Sequence, residues 1–230
     1  MRLHRFYSDQ PLQAGRETLV TNENAIHQWK RVFRLGADDS IILFNGTGKE
    51  FLSRIVSFGK KDAVVYVAEE KQIPFAPRRE LWLFAALVKK DNFEWILQKA
   101  TELGAAHFVP LITDRSEKKD FNSERLQKIV VEAAEQSGRG TIPEIHGLMA
   151  PERAIEHYMM PSVIFHLEGK QFVREEWDFP QIGAYLGPEG GWSDRELEIF
   201  KAKNLPILTL GGQTLRAETA AVAVSSLLLL

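Results

Sequence analysis

The sequence predicts an α/β fold in two parts: a small β-rich, barrel-like domain over residues 1–72 and a mostly parallel sheet with helices on its faces over residues 73–230. Three observations carry this. Apolar runs with glycine-assisted turns fill the first part, and strand-like runs alternate with helix-period segments in the second. Between them, Gln72-Ile73-Pro74-Phe75-Ala76-Pro77-Arg78-Arg79 reads as a linker, because two prolines three apart follow one strand-like run and precede another.

In the first part, Ile41-Ile42-Leu43-Phe44 runs into Asn45-Gly46-Thr47-Gly48 and then into residues 50–56, the pattern of a hairpin with a glycine-bearing turn. Residues 63–68, rich in β-branched side chains, supply a further strand. In the second part, residues 81–87 form a buried strand candidate. The next helix places Phe93, Ile96, Leu97, Ala100 and Leu103 on one face and stops at Gly104. A strand at 107–112 follows, then a helix capped by Ser123 that lines up Leu126, Ile129, Val130, Ala133 and Ala134 and ends near Gly138. Strands at 162–167, 182–186 and 207–210 alternate with helices at 193–203 and 217–230. The last helix is apolar on every side and shorter than the roughly 20 residues a bilayer span needs. Its cover comes either from its own domain or from a second subunit.

Composition narrows the chemistry. The chain has 230 residues and no cysteine, which excludes a disulfide framework, a thiolate metal site and a cysteine nucleophile. The first residues lack the continuous apolar stretch of a secretory signal, so a cytoplasmic protein is expected. The net charge of −2 hides a gradient. Residues 1–72 carry 11 Lys/Arg against 9 Asp/Glu, and residues 73–230 carry 18 against 22. The basic excess is densest in residues 1–36, which suits a polyanion-facing front and equally suits an ordinary solvated face. His4, His27, His107, His146, His157 and His166 show no metal-ligand spacing, so no metal is expected.

Two glycine-bearing loops follow the last two strands, where open α/β sheets bind ligands. The first is Leu186-Gly187-Pro188-Glu189-Gly190-Gly191-Trp192; Ser193 and Glu196 behind it have capping-box spacing, so a helix begins there. The loop is neither a P-loop nor a dinucleotide fingerprint, and a plain strand-to-helix turn would also explain its glycines. The second is Leu210-Gly211-Gly212-Gln213-Thr214-Leu215-Arg216-Ala217-Glu218-Thr219-Ala220. Arg216 and Glu218 stand before a segment that must be buried, where charges need partners or a task. They form an Arg216–Glu218 or Arg216–Glu189 pair, or Arg216 serves a phosphate or a charge developing on a base. Glu132, Glu135, Gln136, Ser137 and Arg139 close the helix from 123 and face either a site or solvent.

Taken in order, these segments resemble the RsmE family of ribosomal RNA methyltransferases within the SPOUT superfamily. The resemblance runs through Arg5-Phe6, His27 with Val32-Phe33-Arg34 and Gly36, Phe44-Asn45-Gly46-Thr47-Gly48, Lys99-Ala100-Thr101-Glu102-Leu103-Gly104, Arg115-Ser116, residues 132–139, 187–191 and 215–220. It departs at Phe33, where the family usually has Leu, and at Ala37-Asp38-Asp39, in place of a commoner Gly-Asp turn.

The resemblance implies methyl transfer from S-adenosylmethionine to N3 of a uridine in 16S ribosomal RNA, at the decoding region of the small ribosomal subunit. It implies an N-terminal PUA-like RNA-binding barrel, a trefoil-knotted α/β methyltransferase domain and a homodimer. The cofactor loops map to Leu167, Glu168 and Gly169; Leu186, Gly187, Pro188, Glu189, Gly190 and Gly191; and Leu210, Gly211 and Leu215, with Arg216 and Thr219 beside them. Arg216, with Glu218 or Glu189, is the candidate catalytic set. Arg2, Arg5, Arg31, Arg34 and Arg139 are the candidate phosphate contacts, and Phe6 a candidate for stacking on a base. Two other classes stay open: an RNA-binding or ribosome-assembly factor that does not methylate, and a small-molecule enzyme using a nucleotide cofactor in the same loops.

Overall fold

The computed structural model describes residues 3–73 and 77–230; Arg2 and the linker residues Pro74, Phe75 and Ala76 lie outside them. The chain forms two compact units, Met1–Ala76 with Ala134–Ile142, and Pro77–Ala133 with Pro143–Leu230.

In the first unit, β1 (Arg5–Tyr7), β2 (Arg16–Val20), β3 (Ser40–Phe44), β4 (Lys49–Phe58) and β5 (Ala63–Gln72) form a five-stranded sheet of order β1-β3-β4-β5-β2. β1 runs parallel to β3 and the other pairs are antiparallel. The expected hairpin is β3–β4. Its inward residues Ile41, Leu43, Phe51 and Ile55 alternate with outward ones, as the two-residue period of a half-covered strand requires. They meet Ile26 from α1 (Glu23–His27) and Trp29 from the π-helical turn Gln28–Val32. Ala134–Ile142 joins this unit: the Tyr7 amide donates to Glu135 Oε1 at 2.8 Å and the Gly48 amide to the Gly140 carbonyl at 3.1 Å.

The second unit is a six-stranded, all-parallel sheet of order β11-β9-β10-β6-β7-β8. Its strands are β6 (Glu80–Ala86), β7 (His107–Leu111), β8 (Glu144–Ile145), β9 (Ser162–Gln171), β10 (Gln181–Leu186) and β11 (Ile207–Thr209). The helices are α2 (Lys90–Leu103), α3 (Ser123–Ser137), α4 (Pro151–His157), α5 (Asp194–Ala202) and α6 (Ala217–Leu229), with α3 ending in the segment that joins the first unit. β6 and β10 are buried almost without interruption, as strands covered on both faces are. Phe84 and Tyr185 stack across them with centroids 4.2 Å apart.

Two expectations change. The cap of α3 is Asn122, whose Oδ1 accepts from the Arg125 amide at 2.9 Å; Ser123 is the first helical residue. β9 extends beyond the predicted 162–167. β11 residues Ile207 and Leu208 pair with Ile164 and Lys170, so β9 bulges on its β11 side, where residues 165–169 have no partner, while Phe165 stays paired with Leu186 of β10.

α6 buries Ala221, Val224, Ser225, Leu228 and Leu229 in packing against α2, β6 and β10, while Leu227 and Leu230 remain exposed. Its own unit therefore covers one side of the helix. Among the described residues, no helix is long and apolar enough to cross a membrane.

Candidate active site

The bulge of β9 and the loops after β10 and β11 enclose one cleft of about 310 Å³, within the range of small-molecule sites. Phe165, His166 and Leu167 come from the bulge, residues 186–192 from the second loop, and Thr209, Leu210, Gly211, Gln213, Thr214 and Leu215 from the third. Ala217 and Ala220 of α6 close it. The lining joins apolar walls to glycine backbone, with the Trp192 and Arg115 side chains packed beside Gly187 and Gly190. Trp192 forms a fixed floor: it is buried, its indole N–H donates to the Phe165 carbonyl at 3.1 Å, and its ring meets Phe200 edge-on. Gly191 has φ +68, a conformation glycine adopts at no steric cost, and its amide closes a turn onto the Pro188 carbonyl at 2.8 Å.

Behind the second loop, α5 carries the expected capping box. The Ser193 hydroxyl accepts from the Glu196 amide at 3.2 Å, and Glu196 Oε2 accepts from the Ser193 amide at 2.8 Å. Glu196 is 1% exposed, and its other oxygen accepts from the Asp114 amide at 3.0 Å, tying the segment after β7 to α5. Arg115, next in sequence, donates to the Gly190 carbonyl at 2.8 Å. The cleft-lining loop is therefore held from outside by residues 114 and 115, of which only Arg115 lay in a segment singled out from the sequence. Asp114 and Arg195, 81 residues apart, carried no local signal.

Asp114 accepts from Arg195 at 2.7 and 2.9 Å and from the Ser193 hydroxyl at 2.5 Å. The Arg195 guanidinium first, and the Ser193 hydroxyl second, hold its carboxyl down to about 2. The folded value lies below the ordinary 3.8, so the carboxylate contributes stability above that pH and loses it as the pH falls towards 2. Asp114→Asn is expected to destabilise the protein at neutral pH and to shrink the loss of stability between pH 4 and pH 2, checked by thermal melts across that range.

The predicted cofactor-loop residues divide in two. Leu167, Leu186, Gly187, Pro188, Glu189, Gly190, Gly191, Leu210, Gly211 and Leu215 line the cleft together. Phe165, His166, Trp192, Thr209, Gln213, Thr214, Ala217 and Ala220 line it as well, none of them singled out as a cofactor contact from the sequence. Glu168, Arg216 and Thr219 adjoin lining residues in the chain without lining it, and Gly169 lies against the Leu208 backbone. Arg216 is exposed, and neither proposed ion pair, with Glu218 or with Glu189, forms among the described residues. Glu218 is half-buried, and its Oε2 is fully buried without a hydrogen-bond partner. It thus holds a free acceptor at the start of α6.

In the first unit, Phe6 requires a correction. It is 1% exposed and packs against Trp29 and Phe33, with centroids 5.3 and 5.4 Å away, so it belongs to the core and is not free to stack on a base. Its three-residue strand turns Phe6 inward between Arg5 and Tyr7. Arg5 is ion-paired with Glu50, its side chain 12% exposed. Arg139 donates to Thr141 Oγ1 at 3.0 Å, and burial lowers its pKa to about 10. Arg31 and Arg34 are exposed, at and just after the π-helical turn, Arg34 with φ +53.

Residues 76–229 match the family model for an RNA methyltransferase domain, and residues 30–66 match that for an RNA methyltransferase PUA domain. Ribosomal RNA small subunit methyltransferase E of Rickettsia conorii is 34% identical over 232 residues, covering 96% of this chain and 93% of that one. A methyltransferase from Legionella pneumophila, solved with bound S-adenosylmethionine, superposes with a TM-score of 0.90 at 28% identity over 98% of this chain and 96% of its own. Ribosomal RNA small subunit methyltransferase E of Neisseria gonorrhoeae, also bound to S-adenosylmethionine, gives 0.88 at 26% identity over 98% and 96%. With a domain model spanning most of its length and a relative matched nearly end to end, the chain belongs to the ribosomal RNA small subunit methyltransferase E family of RNA methyltransferases.

Proposed function

We propose that this protein transfers the methyl group of S-adenosylmethionine to N3 of a uridine in 16S ribosomal RNA. The observation that carries the reading is the cleft itself, where three glycine-bearing loops of one parallel sheet meet beside Arg216 and Glu218. Adenine recognition needs backbone donors and acceptors at close range with apolar walls; the Gly187 backbone, the Gly190 amide and the Gly191 carbonyl supply the first, and Leu186, Leu210 and Leu215 the second. In the reaction the bond from sulfur to methyl breaks as the bond from N3 to methyl forms, the sulfur keeps the electron pair, and the N3 proton leaves to a base. The sulfonium is already activated, so the protein's work is alignment and help with that proton.

Arg216 makes no ion pair among the described residues, which leaves its guanidinium available for the negative charge that grows on the uracil imide. The unpartnered buried oxygen of Glu218 suits a group that orients Arg216 or accepts the N3 proton, with Glu189 of the cleft wall as the other candidate. The passage of the chain through a trefoil knot at these loops, the division of labour between residues 1–72 and 73–230, the small ribosomal subunit as partner, a homodimer and a cytoplasmic setting belong to the same reading. Exposed Leu227 on α6 and Leu230 just after it support the dimer.

The test is incubation with labelled S-adenosylmethionine and either unmodified small subunits or naked 16S RNA, followed by mapping of the labelled nucleotide. One labelled uridine, methylated at N3, is expected. Cofactor binding with no label in RNA would overturn the reading and favour a non-catalytic RNA-binding factor or a small-molecule enzyme.

For RNA contact, the exposed pair Arg31 and Arg34 takes over from Arg5 and Phe6. Arg31→Gln with Arg34→Gln is expected to weaken RNA binding and to reduce the slope of log K against log salt by about 1.5, roughly 0.7–0.9 for each phosphate left without its arginine. Cofactor affinity should stay unchanged. Binding measured across a salt series checks this, and an unaltered slope would remove both residues from the interface.

A further inference from the structure

A second cluster lies towards the opposite end of the strands from the cleft's loops. Parallel pairing sets Gly183, Trp82, His107 and Glu144 in one row across β10, β6, β7 and β8. Neighbours in such a row share a face of the sheet, and His146, two residues beyond Glu144, returns to that face. The row crosses β7 at its first residue and β10 ahead of Leu186, whereas the cleft opens beyond Leu186.

His107 Nδ1 and His146 Nε2 lie 3.1 Å apart, and Glu144 Oε2 is 3.5 Å from His107 Nδ1. One ligand atom from each of the three falls within 4.8 Å of the others. Two nitrogens bound to one tetrahedral zinc at about 2.0–2.1 Å stand roughly 3.3 Å apart, close to the separation seen here. Trp82 stacks on both rings, at 3.7 Å from His107 and 4.9 Å from His146, and fixes their planes. Both imidazoles are half-buried, while Glu144 is exposed and can turn towards them.

We propose that His107, Glu144 and His146 bind one zinc-class divalent cation, which clasps β8 to β7 at the sheet edge. The donor set of two imidazoles and a carboxylate suits a borderline metal better than calcium or magnesium, which prefer all-oxygen shells. A neutral imidazole offers one lone pair to a metal. Each ring would retain its proton on the outer nitrogen, Nε2 of His107 and Nδ1 of His146. Without metal, the two nitrogens share a single hydrogen bond.

The full chain, stripped with chelator, is titrated with zinc by calorimetry and with cobalt(II) by visible absorption. One saturable equivalent is expected, with cobalt bands of a four-coordinate site and a rise in melting temperature. His107→Gln with His146→Gln should lower affinity at least 100-fold, and exposed Glu144→Gln about 10- to 100-fold. If the double variant misfolds by circular dichroism, Glu144→Gln alone decides. No saturable zinc binding by the wild-type chain, or binding undiminished in the folded variants, overturns the proposal. The readout is metal binding and not methyl transfer, so its failure is distinct from failure of the proposed activity.

Discussion

Arg216→Ala is expected to lower methyl transfer on the order of 100- to 1,000-fold at saturating RNA and cofactor, the usual loss when one donor to a developing charge is removed. The folded state should barely notice. Arg216 is exposed, caps α6 through no side-chain hydrogen bond and makes no ion pair among the described residues, so stability should stay within about 0.5 kcal/mol. The two outcomes together separate a catalytic role from a structural one. Arg216→Lys is expected to rescue only part of the rate, because an ammonium restores the charge without the planar fork of donors. Wild-type turnover in the alanine variant would end the assignment and move attention to Glu218 and Glu189. If Glu218 only orients Arg216, Glu218→Gln should add no further loss to Arg216→Ala; if it accepts the N3 proton, the two losses should compound.

Much of this was legible because the signals are local. The Ser193 to Glu196 spacing gave the start of α5, the repeat of Phe93, Ile96, Leu97 and Ala100 gave α2, and the glycines of the second and third loops gave two walls of the cleft. What escaped was non-local or too short to show a period. β1 has three residues and β8 two, so alternation could not reveal that Phe6 faces inward. The bulge of β9 depends on which β11 residues it meets, and it turns an ordinary apolar run into the first wall of the site. His107 and His146 are 39 residues apart and carry no spacing motif; only the register of β7 with β8 makes them neighbours. The hold of Asp114 and Arg115 on the second loop is of the same kind.

The bulge also fixes where the fold is least tolerant. A Cβ built on Gly169 would stand 2.4, 2.6 and 2.7 Å from the carbonyl carbon, Cα and amide nitrogen of Leu208, all backbone atoms of the neighbouring strand. No rotamer change relieves such a clash. Gly169→Ala must push β9 and β11 apart where Lys170 and Gln171 pair with Leu208 and Thr209, and Thr209 lines the cleft. Forcing atoms into a packed region costs about 1–3 kcal/mol, and here the displaced strand leads directly into the third loop. The expected result is a stability loss of that size together with at least a tenfold fall in S-adenosylmethionine affinity. Gly212→Ala is the matched control. Its Cβ would meet nothing within 4 Å, so both measurements should stay at wild-type values. Equal melting temperature and cofactor affinity for the two variants would show that β11 can yield at no cost, and that the bulge tolerates a methyl group where the backbone geometry predicts it cannot.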